Sequence, residues 1–448
     1  MKKSQFKKSS RKNSKQQKKT PESLEIEKNI HSCVKCITTF EEDNISIDDF
    51  FDDYFALDYS IERKRCSSLI FSYFRNKALI DYMVNNSANK LNKKIRRLLV
   101  IGTTLIHFQE ALHTPVIVDV IVEIAKNQFG RTKGNFVNAV MRTIGRMNIA
   151  ELKEQAPKSV LYNLPKFYYK NLLQEYSANE VEALTAVYQQ IPALTLRTKE
   201  VLSNEEINDL DLSLLPLPEW SKNAIFYTVN NAQKLFNSEI LKSGRGYIQD
   251  PSTVMAINLI DFKGSENVID LCAAPGGKSI LVAEKLTSKG KLTACDRSER
   301  RLKYLRENFS IRNFDHKIDC LNLLNDEELN KANESFAPQE SFDVVIIDVP
   351  CSNTGVIRHR PDALWRLNNK SLNEVIDLQQ QIISRAAKLV KPNGILLYSS
   401  CSIEKRENSD LVAKFIEKNN DQWQLQKELQ LLPTTDFDGA YGAIIKRC

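Results

Sequence analysis

The chain has 448 residues, 42% of them hydrophobic, and a formal charge of +7 from 63 Lys and Arg against 56 Asp and Glu. That length exceeds one ordinary core, so two or three domains are expected. No apolar run reaches the ~18 residues of a membrane span, and no signal-peptide core follows the basic start, which argues for a cytoplasmic protein without a membrane partner.

Nine of the basic residues fall in MKKSQFKKSSRKNSKQQKK, residues 1–19, with no acid among them; the rest of the chain holds 54 basic against 56 acidic groups, a net −2. The basic excess is therefore an arm, residues 1–20, too poor in apolar surface to fold alone. Such an arm either aids solubility or holds RNA phosphates without sequence preference. Nine cysteines, an odd number spread over the chain, read as thiols in a reducing compartment. Cys33 and Cys36 have no second pair to complete a tetrahedral site, so packing on a helix face is favoured and no metal is expected.

Residues 21–150 read as an all-α domain, because SSLIFSYFRNKALIDYMV and RRLLVIGTTLIHFQEAL repeat apolar residues at spacings of three and four. FGRTKGNFVNAVMRTIGR then arranges Arg131, Lys133, Arg142 and Arg146 around an amphipathic helix, facing phosphate or solvent. Residues 151–250 are a mixed α/β extension, with a strand in QQIPALTLRTKE and a short helix in EEINDL. From residue 251 onward short β-rich runs alternate with helical segments: NVIDL (267–271), KLTACD (291–296), KIDCL (317–321), DVVIID (343–348) and GILLYSSC (394–401). That alternation implies an α/β Rossmann-like domain, residues 251–448, with ligands beyond the carboxyl ends of a parallel sheet.

At the first strand end, DLCAAPGGKS, two readings compete. Gly277-Lys278-Ser279 nearly completes a phosphate loop, but the leading glycine of that motif is Cys272, whose Cβ denies the backbone freedom required. The rival is a nucleoside cofactor held by the turn Cys272, Ala273, Ala274, Pro275, Gly276, Gly277 and Lys278, with free N–H groups at the following helix. Asp296, closing the next strand, favours the second reading, since a carboxylate there can accept from ribose hydroxyls. Asp319, on the strand after, is then placed to read an adenine amino group. Either aspartate alone would more often be a cap or turn residue; their order after successive strands is the stronger signal.

DLCAAPGGKS, DRSERRL, DVPCSNTGVIRHRPDALW and YSSCS together resemble the successive motifs of the RNA 5-methylcytosine methyltransferases, the Sun/NOL family. The helical region with GNFVNAVMR is similar to the NusB-like RNA-binding domain found in this family's bacterial ribosomal-RNA branch. The resemblance covers nearly everything from residue 25 onward. It implies S-adenosylmethionine as cofactor, RNA (16S ribosomal RNA) as partner, and a chain acting as a monomer. It departs from the family at Lys199, where asparagine is common, and at Ala440 and Gly442, where aromatics are usual.

The resemblance also assigns the two cysteines. Cytosine C5 is a poor nucleophile until a thiolate adds to C6. The family pattern makes Cys401 that nucleophile and Cys351 the thiol that assists product release, with their two strands adjacent. Asp348 can contact the cofactor, cytosine N3 and the exocyclic amine and, when protonated, supply a proton. A helix predicted over SIEKRENSDLVAKFIEK, residues 402–418, would set Cys401 at a positive helix terminus. Taken singly, each cysteine would more often be a small buried hydrophobe; within the ordered motifs the odds reverse. The competing functions are a phosphate-loop ATPase, opposed by Cys272 and Asp296, and an RNA-binding protein with a silent Rossmann domain, opposed by Cys351, Cys401 and Asp348.

Overall fold

The computed structural model describes residues 21–55, 61–109, 113–222, 224–419 and 421–448, so the basic arm lies outside the described residues. Two compact units divide the chain, Met1–Ala156 and Pro157–Cys448. Among the described residues no helix is long and apolar enough to cross a membrane.

Among its described residues the first unit has helices and no strands. Lys93–His107 is its central helix, buried continuously from Arg97 to Leu105, which matches the apolar periodicity of that stretch. Gly102 lets Arg131–Ile144 approach, since a Cβ there would stand 2.6 Å from Met141 Cε. The buried guanidinium of Arg97 is met by Glu41 at 2.8 Å and Glu42 at 2.9 Å, as a buried charge requires. Cys33 and Cys36 are both buried, and Cys33 Sγ lies 3.3 Å from Cys66 Sγ. Along Arg131–Ile144, Val137, Val140, Met141 and Ile144 face inward. Arg131, Lys133 and Arg142, with Arg146 just beyond, are exposed.

The second unit holds eleven strands in two sheets: β1 (Leu194–Thr198), β2 (Leu212–Leu214), β3 (Ile225–Val229), β4 (Gly246–Ile248), β5 (Asn267–Asp270), β6 (Lys291–Asp296), β7 (Lys317–Cys320), β8 (Phe342–Asp348), β9 (Val390–Ser400), β10 (Trp423–Leu431) and β11 (Ala440–Arg447). The smaller sheet, ordered β2-β3-β1-β4, is antiparallel. The larger runs β10-β11-β9-β8-β5-β6-β7. In it β7, β6, β5, β8 and β9 are parallel, whereas β11 is antiparallel to both β9 and β10. Each of the five runs expected as parallel strands forms one.

Alternation along β8 shows why these runs are almost wholly apolar. Val344 and Ile346 join one core with Ile280, Leu302 and Leu305, while Val345 and Ile347 join the other with Leu396 and Tyr398. A strand covered on both faces has no polar side to show. Helices within Lys166–Tyr188 pack Tyr168, Leu172, Leu184 and Tyr188 into that second core. The chain order reverses between β5 and β8, opening a crevice at their carboxyl ends where such sheets bind ligands.

The helix expected to follow Cys401 directly begins only at Ser409. Ser402 Oγ donates to Glu407 at 2.7 Å, Ser400 Oγ donates to Asn408 Oδ1 at 2.6 Å, and Asn408 Nδ2 donates to the Ser402 carbonyl at 2.8 Å. These local side-chain bonds outcompete helical pairing over residues 402–408. Cys401 therefore does not stand at a helix terminus.

Candidate active site

At the end of β5 the buried Asp270 accepts from Ser279 Oγ at 2.6 Å and shapes the turn into the helix Gly277–Lys285. Burial pushes its carboxyl up to about 7, although Ser279 pulls the other way. Gly276 has φ 117°, the left-handed region, and a Cβ on it would meet Leu305 at 2.6 Å. Gln249, next to β4, takes Arg197 Nε at 2.8 Å and donates to the Gly277 carbonyl at 3.2 Å, tying the smaller sheet to the turn.

A cavity of about 310 Å³ opens over this turn. Cys272, Ala273, Ala274, Pro275, Gly277, Lys278, Asp348 and Cys401 line it together. Gly276, Asp296, Asp319 and Cys351 are not part of that lining. Asp296 is buried behind the turn, where its carboxylate accepts from Ala274 N at 3.2 Å and Ser298 N at 3.0 Å. Asp319 lies inside β7, paired in register with Cys295, its carboxylate 3.4 Å from Lys317 Nζ.

Register brings the chemistry of β8 and β9 to one place. The two strands are parallel neighbours with Asp348 opposite Ser399, so the chain past each carries its cysteine into a shared space. Cys351 Sγ and Cys401 Sγ are 3.1 Å apart, and the Cys401 thiol also donates to Asn353 Oδ1 at 3.3 Å. The hydrogen bond with Cys401, then burial, then the charge of Cys401 and after it that of Glu407 push the Cys351 thiol well above its usual range.

Lys278 Nζ is 2.8 Å from Asp348 Oδ2, and Asp348 Oδ1 accepts from Ser399 Oγ at 2.9 Å. Burial alone would lower the Lys278 ammonium, but Asp348 and Cys401 outweigh it and hold the group above its ordinary value. The positive charge beside Cys401 is thus a lysine in place of the helix end expected from sequence. Gly355 completes the arrangement. Its N–H donates to the Cys401 carbonyl at 2.9 Å, and a Cβ would sit 2.4 Å from the Gly439 carbonyl oxygen. Only glycine lets these backbones meet.

Sequence reading missed part of the lining. Tyr247, Gln249 and Asp250 arrive from the end of β4, and Asp438 from the loop before β11. The buried Arg358, inside a quoted motif but given no role, donates from Nη2 to Asp438 at 3.0 Å and stands 3.9 Å from Asp250. Burial, with Asp250 adding to it, pushes the Asp438 carboxyl up to about 7. Asp250, His359 and Asp438 lie close enough to share a cation, and the Arg358 guanidinium already supplies positive charge there. The signal available was Arg358 itself: an arginine beside an apolar run needs a buried carboxylate, which no local pattern located.

Residues 257–440 match the family model described as 16S rRNA methyltransferase RsmB/F, and residues 36–146 match that of the NusB family. The chain is 28% identical over 371 residues to "Probable ribosomal RNA small subunit methyltransferase B" of Bacillus subtilis, spanning 79% of this chain and 80% of that protein. It is 29% identical over 334 residues to ribosomal RNA small subunit methyltransferase B of Shewanella oneidensis, spanning 73% and 74%. The solved structure of PH0851 superposes with a TM-score of 0.70 at 21% identity, over 94% of this chain and 98% of that one. NSun6 from Pyrococcus horikoshii with SFG does so with a TM-score of 0.51 at 19% identity, over 63% and 98%. At such identities the two structures speak to the fold alone. A NusB-family stretch followed by an RsmB/F methyltransferase stretch, in a chain whose relatives match along most of its length, gives this protein the domain content of the RsmB/F ribosomal RNA methyltransferases.

Proposed function

We propose that the protein methylates C5 of a cytosine in 16S ribosomal RNA through a covalent bond between Cys401 and C6 of the base. The observation that carries this reading is the pair of thiols 3.1 Å apart, with Cys401 lining the same cavity as the Lys278–Asp348 ion pair. Bound S-adenosylmethionine supplies an electrophilic methyl group on a sulfonium. Ala273, Ala274, Pro275 and Gly277 line the cavity at the N-terminus of the helix Gly277–Lys285, a place suited to a ligand that needs close backbone approach.

Within the site, Cys401 shares the cavity wall with the Lys278 ammonium, and its sulfur adds to C6 as the thiolate and makes C5 nucleophilic. Asp348, held by Lys278 and Ser399, orients the pyrimidine through N3 and the exocyclic amine. Once C5 is methylated, elimination with the assistance of Cys351 removes the C5 proton, the C5–H electron pair restores the ring double bond, and the Cys401–C6 pair returns to the sulfur as thiolate. The exposed Arg131, Lys133, Arg142 and Arg146 give the helical unit a basic edge for RNA phosphates. A phosphate-loop ATPase fits poorly, since the Ser279 hydroxyl is buried against Asp270 and Lys278 is paired with Asp348.

Bisulfite sequencing of 16S ribosomal RNA from cells with and without the protein tests the reaction. One methylcytosine should disappear with the protein; an unchanged pattern would remove the C5 assignment. The cofactor side has its own test. Asp296→Ala takes away the acceptor that holds Ala274 N and faces the ribose side in this reading. S-adenosylmethionine binding should weaken by the ~1.5–3 kcal/mol of a hydrogen bond to a charged group. Unchanged affinity by calorimetry would exclude Asp296 from the cofactor site.

A further inference from the structure

Glu407 belongs to the short turn Lys405–Glu407 and has no solvent exposure, yet it does not line the cavity. Its Oε1 accepts from the Ser352 N–H at 2.9 Å and from Gln379 Nε2 at 3.0 Å. Its Oε2 accepts from Ser402 Oγ at 2.7 Å and, in a very short contact, from Ser352 Oγ. Gln379 Nε2 also donates to the Pro350 carbonyl at 2.9 Å. The carboxylate therefore grips Ser352, which follows Cys351, and Ser402, which follows Cys401, while the Gln379 it holds fixes Pro350 on the other side of Cys351.

The rest of the network closes around the same point. Thr354 Oγ1 is 3.0 Å from Ser402 Oγ and accepts from Ile403 N at 3.1 Å. Asn408 holds Ser400, on the other side of Cys401, at 2.6 Å. A carboxylate stripped of water is costly unless donors replace it, and here four do. Neutral packing would serve stability as well as this arrangement, so its expense points to a role in geometry.

We propose that Glu407 is a positioning residue for the two thiols: it ties the Cys351 and Cys401 loops into one unit and places its negative charge on the Cys351 side. Lys278 and Asp348 approach from the Cys401 side, and Tyr398, whose hydroxyl donates to the Glu407 carbonyl at 2.6 Å, adds no charge. The proton of the pair is thereby retained on Cys351, leaving Cys401 as the nucleophile. The inference rests on the cysteine reading of the reaction, and its test separates the two.

Glu407→Gln keeps the shape while removing the charge and one acceptor. In the full-length chain, alkylation of Cys351 by iodoacetamide, followed by peptide mass spectrometry across pH, should show its midpoint lowered by about one unit. The turnover number for methyl transfer should fall about tenfold or more with the KM for RNA within about twofold. An alkylation midpoint and turnover equal to wild type would overturn the proposal. If Glu407→Gln does not fold, Ser352→Ala, which deletes one hydroxyl of the network, should lower turnover without lowering the Cys351 midpoint. Wild-type turnover in Ser352→Ala would count against the clamp. Should Cys401→Ala instead keep its activity, the covalent mechanism fails, while the Cys351 titration in Glu407→Gln still decides the placement of charge.

Discussion

Cys401→Ala is expected to abolish methyl transfer, by at least about 10⁴-fold, together with any covalent RNA adduct, because the other thiol on the cavity wall, Cys272, is pushed well above its usual range by burial and is a poor nucleophile. Cys351→Ala should behave in the opposite way. Its thiol stands beside the nucleophile and outside the lining, 3.1 Å from Cys401 Sγ, so addition can proceed without it while release cannot. A protein–RNA species should then persist through denaturing electrophoresis. The same gel thus separates the two roles, because a general loss of folding would leave no adduct in either variant. An adduct that accumulates in Cys401→Ala and is absent from Cys351→Ala would reverse the assignment. Full activity in both variants would return the two cysteines to packing.

Lys278→Met should cost activity on the order of 100-fold. The substitution keeps the length of the side chain along the start of the helix Gly277–Lys285 but removes the charge 2.8 Å from Asp348. Two consequences act together. Asp348 loses the partner that holds it toward the base, and a thiolate at Cys401 loses the cation that stabilises it. Alkylation of Cys401 in the absence of RNA isolates the second effect, and it should be slower in the variant. An alkylation rate equal to wild type would mean that Lys278 only neutralises Asp348.

The parallel strands and the turn at residues 272–278 were legible in the sequence for one physical reason. Strands buried on both faces must be nearly continuous apolar runs, and a backbone that passes close to its surroundings must be glycine. Lys278 was visible but mute, since its meaning depends on Asp348, seventy residues away in sequence and 2.8 Å away in space. The segment after Cys401 misled: its apolar spacing is helical from Leu411 to Ile416, but Ser402, Glu407 and Asn408 spend their side chains on the backbone and on each other before it. β10 was passed over although Trp423, Leu425, Leu429 and Leu431 alternate with polar residues; Lys427 interrupts the pattern, and most of the strand is exposed. Asp250 and Asp438 converge on Arg358 from separate loops, and nothing local in either stretch marks the meeting.

The position of β11 has a consequence for how the molecule fluctuates. By pairing between β9 and β10, it leaves β10 and the four-residue β7 as the two rims of the seven-stranded sheet. β10 is irregular between Leu425 and Lys427 and largely exposed, the habit of a strand guarded against pairing with a stranger. Local fraying will begin at those rims, while β8 and β9 open only when the whole domain does. The thiols therefore follow the strands expected to fray last. Asp296 closes β6, one strand from the rim at β7, so fraying from that side reaches Asp296 before it reaches the sulfurs.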